Sequence, residues 1–316
     1  MIICMHAHLI HKEMWSEKLW NSYISGFSKT MKVPKKVIEK FLPMLWGCNA
    51  KVYVEQMEEA GIDKALVMGA DWGLHPDIGE AKWSIEEANE WIANQANEYP
   101  DKLFSLCALD PRRGERAVQL LEKAVGKWGM KGLKLHPTSG YYPDDPTFFP
   151  LYEKCLELDV PVHSHTAATI MAPLMSKYAD PIYLDTLAAK FPDLKIVMIH
   201  CGSMSYPLKC LEIMSSRPNV YAELSGYQAQ ARYMPAIFLQ NLRAFFDMPA
   251  LLGPPPGDKI MYGTDWPLLD VVLSQKKWIE WLQAIPEKGK EYGLKFKPRK
   301  IKKLLGLNAK KFLRLR

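Results

Sequence analysis

The feature that most constrains this chain is a set of eight short runs rich in apolar and β-branched residues. They are Ile2–His8, Ile62–Gly69, Leu103–Leu109, Gly132–His136, Val160–His165, Leu194–His200, Asn219–Ser225 and Lys259–Asp265. Most are nearly continuous in apolar character, which suits parallel strands covered on both faces. Their starts lie 25 to 60 residues apart, room for a crossover helix in each gap. Helical signals fill those gaps. Ser84-Ile85-Glu86-Glu87 reads as a capping box opening a helix to about Tyr99. Ala117, Leu120, Leu121 and Ala124 recur at helical spacing within Gly114–Val125. Asn308 reads as the cap of a last helix through Leu315. Eight strands alternating with helices predict an α/β fold, a distorted (β/α)8 TIM barrel. The competing open, doubly wound sheet would carry a glycine-rich turn after an early strand, and no G-x-G-x-x-G follows one here.

Such barrels take about 250 residues, and this chain has 316. The surplus predicts a helical insertion after strand 1, around residues 10–55, capping the barrel mouth and carrying Trp15, Trp20 and Trp46. A second insertion is expected over Tyr227–Asp258. Residues 1–316 read as a single domain without an internal linker. Hydrophobic residues at 48% and charged residues at 24% exclude a disordered or fibrous chain. No run approaches 18 apolar residues, so no membrane partner is expected. The N-terminus lacks the pattern of a secretory signal, and none of the six cysteines forms a C-x-x-C pair. A cytoplasmic protein with reduced thiols is the expectation. The net charge of +6 resides in a tail: residues 295–316 hold ten Lys or Arg and no acid, leaving −4 for the rest. An acidic body argues against a nucleic-acid partner, and assembly as a homodimer stays open.

Barrel enzymes carry their chemistry at the C-terminal ends of the strands. Six of the eight histidines fall at or near such ends: His6, His8, His136, His163, His165 and His200. Asp265 ends the eighth run. His6-Ala7-His8 places two imidazoles on one strand face if the alternation is regular, and Cys4 shares that face. Neutral imidazole is a favoured ligand of Zn²⁺ and similar ions. His163-Ser164-His165 repeats the pattern, with one imidazole free to be a ligand and the other a substrate contact. Taken singly, each is equally a satisfied core histidine or a turn aspartate. Together on one rim, they point to a metal site.

In order, His6-Ala7-His8, Gly132-Leu133-Lys134-Leu135-His136-Pro137, His165-Thr166, His200-Cys201-Gly202 and Gly263-Thr264-Asp265-Trp266-Pro267 resemble the amidohydrolase superfamily. The resemblance is nearest to the amidohydrolase-related group that includes aminocarboxymuconate-semialdehyde decarboxylase and resorcylate decarboxylases, and it runs from residue 1 to about 315. It implies one divalent metal ion, usually Zn²⁺, held by His6, His8, His165 and Asp265, with His200 and Asp265 catalytic and His136 beside the site. Cys4 departs from the family, which often has Asp there. The extra His163 leaves the choice of strand-5 ligand between His163 and His165, and the family's His-Thr pattern points to His165. A binuclear variant would use Lys134 as a carboxylated bridge.

Substrate contacts are expected from His136, His163, Trp266 and Arg112. The aromatic side chains offer a stacking surface, and Arg112 a partner for a carboxylate. The expected function is a metal-dependent hydrolase acting on a small carbonyl or carboxylic-acid substrate through a metal-activated water. The alternative is a Zn-dependent, non-oxidative decarboxylase of an aromatic or unsaturated acid. A non-catalytic ligand-binding barrel is the third reading, and the presence of both His200 and Asp265 speaks against it.

Overall fold

The structure is a computed structural model that describes residues 1–169 and 171–315. Eight strands follow one another in chain order: β1 (Ile3–His8), β2 (Lys64–Met68), β3 (Leu103–Ala108), β4 (Leu133–Leu135), β5 (Val162–His165), β6 (Ile196–Ile199), β7 (Val220–Glu223) and β8 (Ile260–Met261). Each lies inside one of the expected runs, and each pairs in parallel with the next. β8 returns to β1: the Met5 N–H donates to Tyr262 O at 2.8 Å, and Ala7 forms a parallel bridge with Trp266. The sheet thus closes into a TIM barrel.

Two apolar clusters follow from the alternation of strand side chains. Ile3, Met5, Leu66, Met68, Leu106, Val197, Ile199 and Met261 fill the barrel interior, with Phe312 of the last helix closing its N-terminal end. The larger cluster packs the outer faces of the strands against the helices. β1 changes sides within its length. Its register against β2 shifts between Cys4 and Ala7, a β-bulge that sets two residues against one. Ile3 and Met5 face inward before the bulge, and His6 and His8 face the barrel mouth after it. Cys4 therefore does not share the face of the two histidines. It is buried with the outer cluster, its thiol 3.3 Å from Thr264 Oγ1.

The helix Ile85–Asn97 starts with the expected capping box between Ser84 and Glu87, and Glu115–Gly126 buries Ala117, Leu120, Leu121 and Ala124. Asn308 is not a cap. It sits within helical backbone, and its amide donates to Gly257 O at 3.1 Å and Ile260 O at 2.7 Å, tying the last helix to β8. Between β1 and β2 lie helices at Glu17–Met31, Lys35–Glu39, Leu42–Trp46 and Ala50–Ala60. Trp15, Trp20 and Trp72 pack ring against ring, and Trp46 meets Trp20 at 5.7 Å.

Candidate active site

The imidazoles at the barrel mouth are set by their second nitrogens. His8 Nδ1 lies 3.1 Å from Met68 O, a carbonyl that can only accept, so the ring donates there and keeps Nε2 bare. Ser225 does the same for two rings at once. Its hydroxyl donates to Glu223 Oε1 at 2.7 Å, leaving lone pairs toward His6 Nδ1 at 3.0 Å and His200 Nδ1 at 2.8 Å. Both rings donate to Ser225 and present Nε2 without a proton. His6 Nε2 and His8 Nε2 then face each other at 3.0 Å, with Asp265 Oδ1 3.6 Å from the first and 3.2 Å from the second. Two bare lone pairs and a carboxylate oxygen repel at such distances. The donor set fits a divalent cation, which neutral imidazole and carboxylate both bind. Burial, and the nearby Lys134 and histidine charges, hold His6 well below the usual imidazole range. Burial is also the main cause that holds His200 there.

Backbone turns aim these groups. His200 and Asp265 both adopt left-handed φ, 67° and 55°, a costly conformation that clusters at functional sites. Asp265 is held by its own N–H, which donates to His6 O at 3.0 Å.

Glu223, at the end of β7, was not anticipated. It is fully buried and accepts from the His200 N–H, the Ser225 N–H and the Ser225 hydroxyl, each at 2.7 Å, while lying 3.3 Å from His6 Nδ1. Burial pushes its carboxyl up to about 7 against those hydrogen bonds. The available signal was an acid closing the Val-Tyr-Ala-Glu strand at the mouth end. Glu223, His6 and His200 form a second ligand-like group that shares His6 with the first.

A cavity of about 240 Å³ opens over these residues. Its floor is polar and includes Lys134, His136 and His165, and its walls are apolar, with Tyr23, Phe27, Trp72, Met171, Leu268 and Leu269. Lys134 is buried, and its ammonium has no hydrogen-bond partner. Burial lowers it to about 7, while the charges of Asp265 and Glu223 work in the opposite sense.

Of the four expected ligands, His6, His8 and Asp265 come together within 4.8 Å. His165 borders the same cavity but stands apart from that group. Its Nε2 donates to Ala167 O at 2.8 Å, and its ring stacks on His136 at 4.2 Å. His136 borders the cavity, its Nδ1 2.6 Å from Thr138 Oγ1.

Three expected substrate contacts lie elsewhere. His163 is buried inside the barrel against Phe312, with neither ring nitrogen bonded. It sits one strand layer below His165, because alternate residues of β5 share the inward face. Trp266 stacks on Tyr53 at 4.4 Å and donates to Gln56 at 2.7 Å, since the backbone turn at Asp265 sends the next side chain outward. Arg112 already has its carboxylate: it holds Asp110 through two hydrogen bonds of 2.9 and 2.6 Å and reaches Ser139 O, away from the cavity. Among Trp15, Trp20, Trp46, Trp72 and Trp266, only Trp72 borders the cavity.

A closed parallel barrel with imidazoles and an aspartate converging at its C-terminal mouth defines the class of TIM-barrel enzymes whose chemistry sits on the strand ends. Within that class the chain belongs to the amidohydrolase family, whose sequence model matches residues 5–315. A curated relative, 2-amino-3-carboxymuconate-6-semialdehyde decarboxylase of Dictyostelium discoideum, is 25% identical over 99% of this chain and 91% of its own length. Among solved structures, 5-carboxyvanillate decarboxylase from Novosphingobium aromaticivorans, complexed with manganese and 4-hydroxy-3-methoxy-5-nitrobenzoic acid, superposes with a TM-score of 0.66. It is 16% identical, and the match covers 100% of this chain and 96% of that one. A 2,6-dihydroxybenzoate decarboxylase complexed with 2,6-dihydroxybenzoate gives a TM-score of 0.67 at 16% identity, over 99% of each chain. At these identities the structural likeness shows the fold alone. No helix among the described residues is long and apolar enough to cross a membrane.

Proposed function

We propose that this chain is a metal-dependent carboxy-lyase, removing a carboxylate from a planar unsaturated or aromatic acid without an oxidant. The observation that carries this reading is an apolar wall over a basic floor. Tyr23, Phe27, Trp72, Leu268 and Leu269 offer a planar body a dry slot, and imidazoles and Lys134 lie beneath. The apolar walls suit a planar body and the polar floor suits its carboxylate. The full-length decarboxylase relative supports the same choice. The hydrolase expected from the sequence yields to its alternative on these two grounds.

His6, His8 and Asp265 would hold the ion, and His165 borders the same cavity apart from them. When bound, it supplies a Lewis acid for a substrate oxygen. Zinc suits an imidazole and carboxylate set, and a fold relative carries manganese. In the reaction the bond to the carboxylate carbon breaks, carbon dioxide leaves, and the electron pair stays on the substrate carbon. A proton then replaces it, passed through Asp265 or His200, which both border the cavity and can exchange one. Ser225 keeps the His200 Nε2 free for that transfer.

The test is a panel of aromatic and unsaturated carboxylic acids, and of esters, amides and lactones, offered to the metal-loaded protein. Carbon dioxide release, with one deuterium on the product carbon in heavy water, is expected from the acids. Hydrolysis of the neutral panel with no carbon dioxide from any acid would overturn the reading.

A further inference from the structure

Lys134 has no structural explanation. It projects from β4 into the barrel, is 1% exposed, and has an ammonium with three donors and no acceptor. The facing groups are already engaged. Glu223 accepts from two backbone N–H groups and Ser225, and Asp265 lies against His6 and His8. The ring of His163, its pairing partner on β5, makes no hydrogen bond. A buried, unpartnered cation is costly, and proteins keep such groups where an incoming partner repays the cost. Among the described residues Lys134 is the only lysine or arginine bordering the cavity, since Arg112 is held by Asp110.

We propose that Lys134 anchors a carboxylate of the substrate, so that the cavity selects planar anionic acids over uncharged molecules of the same shape. The inference rests on the carboxy-lyase reading and narrows it: the acid is recognised by its charge at the floor, and the walls recognise its planar body. Three free donors in a dry site suit two carboxylate oxygens, a charge-assisted contact stronger than a neutral one. Lysine reaches the site as a point charge, so the anchored group need not be coplanar with the chain that carries the amine.

The test measures binding and needs no turnover. The probes are 2-hydroxybenzoate and 2-hydroxybenzamide, followed by calorimetry on the metal-loaded protein and its Lys134→Met variant, which keeps the side-chain length and removes the charge. The wild type should bind the acid at least tenfold more tightly than the amide. The variant should bind both within twofold of each other, with amide affinity and metal content unchanged. Its melting temperature should equal or exceed that of the wild type, because no partner is orphaned. A preference that survives in the variant overturns the proposal, as does a wild type without one, whether it binds both probes equally or neither. Loss of metal in the variant also overturns it, because Lys134 would then belong to the metal centre. Failure of the carboxy-lyase reading shows separately, as absence of carbon dioxide, with this charge preference intact.

Discussion

Gly263 and Glu223 are a matched pair. A Cβ on Gly263 would fall 1.8 Å from Glu223 Oε2, so the absence of a side chain before the β8 turn makes room for the buried carboxylate of β7. Glu223 is held by three hydrogen bonds and cannot step aside. Gly263→Ala should therefore cost about 2–4 kcal/mol, the range of core overpacking with a broken polar network. Gly126→Ala, with no atom within 4 Å of the new Cβ, should instead stabilise by up to about 1 kcal/mol. Denaturant unfolding of the two variants checks the contrast. Equal effects would show that Glu223 is mobile.

Removing metal should destabilise the protein, because two bare imidazole nitrogens 3.0 Å apart beside Asp265 are left in mutual repulsion. A ligand present at a hundredfold excess over its dissociation constant adds about 2.7 kcal/mol. Dialysis against a chelator should lower the melting temperature, and zinc or manganese should restore it. Asp265→Asn should lower both metal content and turnover. An unchanged melting point after verified metal removal would exclude an ion between His6 and His8.

His200→Gln should retain metal and lose about 10²–10⁴ in kcat, the span of one proton-transfer group. Ser225→Ala should produce a smaller part of the same loss, because it frees the tautomer that Ser225 sets in both His200 and His6. Metal analysis beside steady-state kinetics distinguishes the two roles: a metal-depleted His200→Gln would move His200 into the ligand set.

Acid should unfold the metal-free protein early. Burial depresses His6, His136, His163, His165 and His200 below the ordinary 6.5, with His163 and His165 near 3. Between those values the unfolded chain binds protons that the folded chain does not. Stability is therefore full above pH 6.5 and falls as pH drops. His163 isolates the effect, since it borders no part of the cavity and its ring bonds nothing. His163→Leu should leave turnover unchanged and stabilise more at pH 5 than at pH 8. Each buried imidazole accounts for up to about 1.4 kcal/mol per pH unit in that window. Parallel stability curves for variant and wild type would contradict the assignment.

The barrel and most of its mouth were legible along the chain. All eight strands were visible because burial on both faces demands uninterrupted apolar runs, and His6, His8, His200 and Asp265 stood out as polar groups ending them. Arg112, Trp266 and His163 lie off the cavity because a residue type states what a side chain can bind, whereas its neighbours decide what it does bind. Asp110 had already taken Arg112, Gln56 and Tyr53 had taken Trp266, and the inward face of β5 had drawn His163 below the cavity. Glu223 escaped notice because one acid near a strand end resembles a turn residue until its three donors are seen.

What the sequence alone determined is the periodic part of the protein: eight buried parallel strands, their crossover helices, and titratable side chains at the strand ends. These depend on short-range rules of burial and alternation. What only the tertiary structure decided is the pairing. The bulge in β1 separated Cys4 from His6 and His8, a shift of one residue that alternation cannot foresee. Ser225, just past β7, oriented one imidazole beyond β6 and another on β1, and the closing of β8 on β1 brought Asp265 to both β1 histidines. The contacts of Ser225 and Asp265 with the β1 histidines join residues more than two hundred positions apart, and their geometry is set by where the barrel closes.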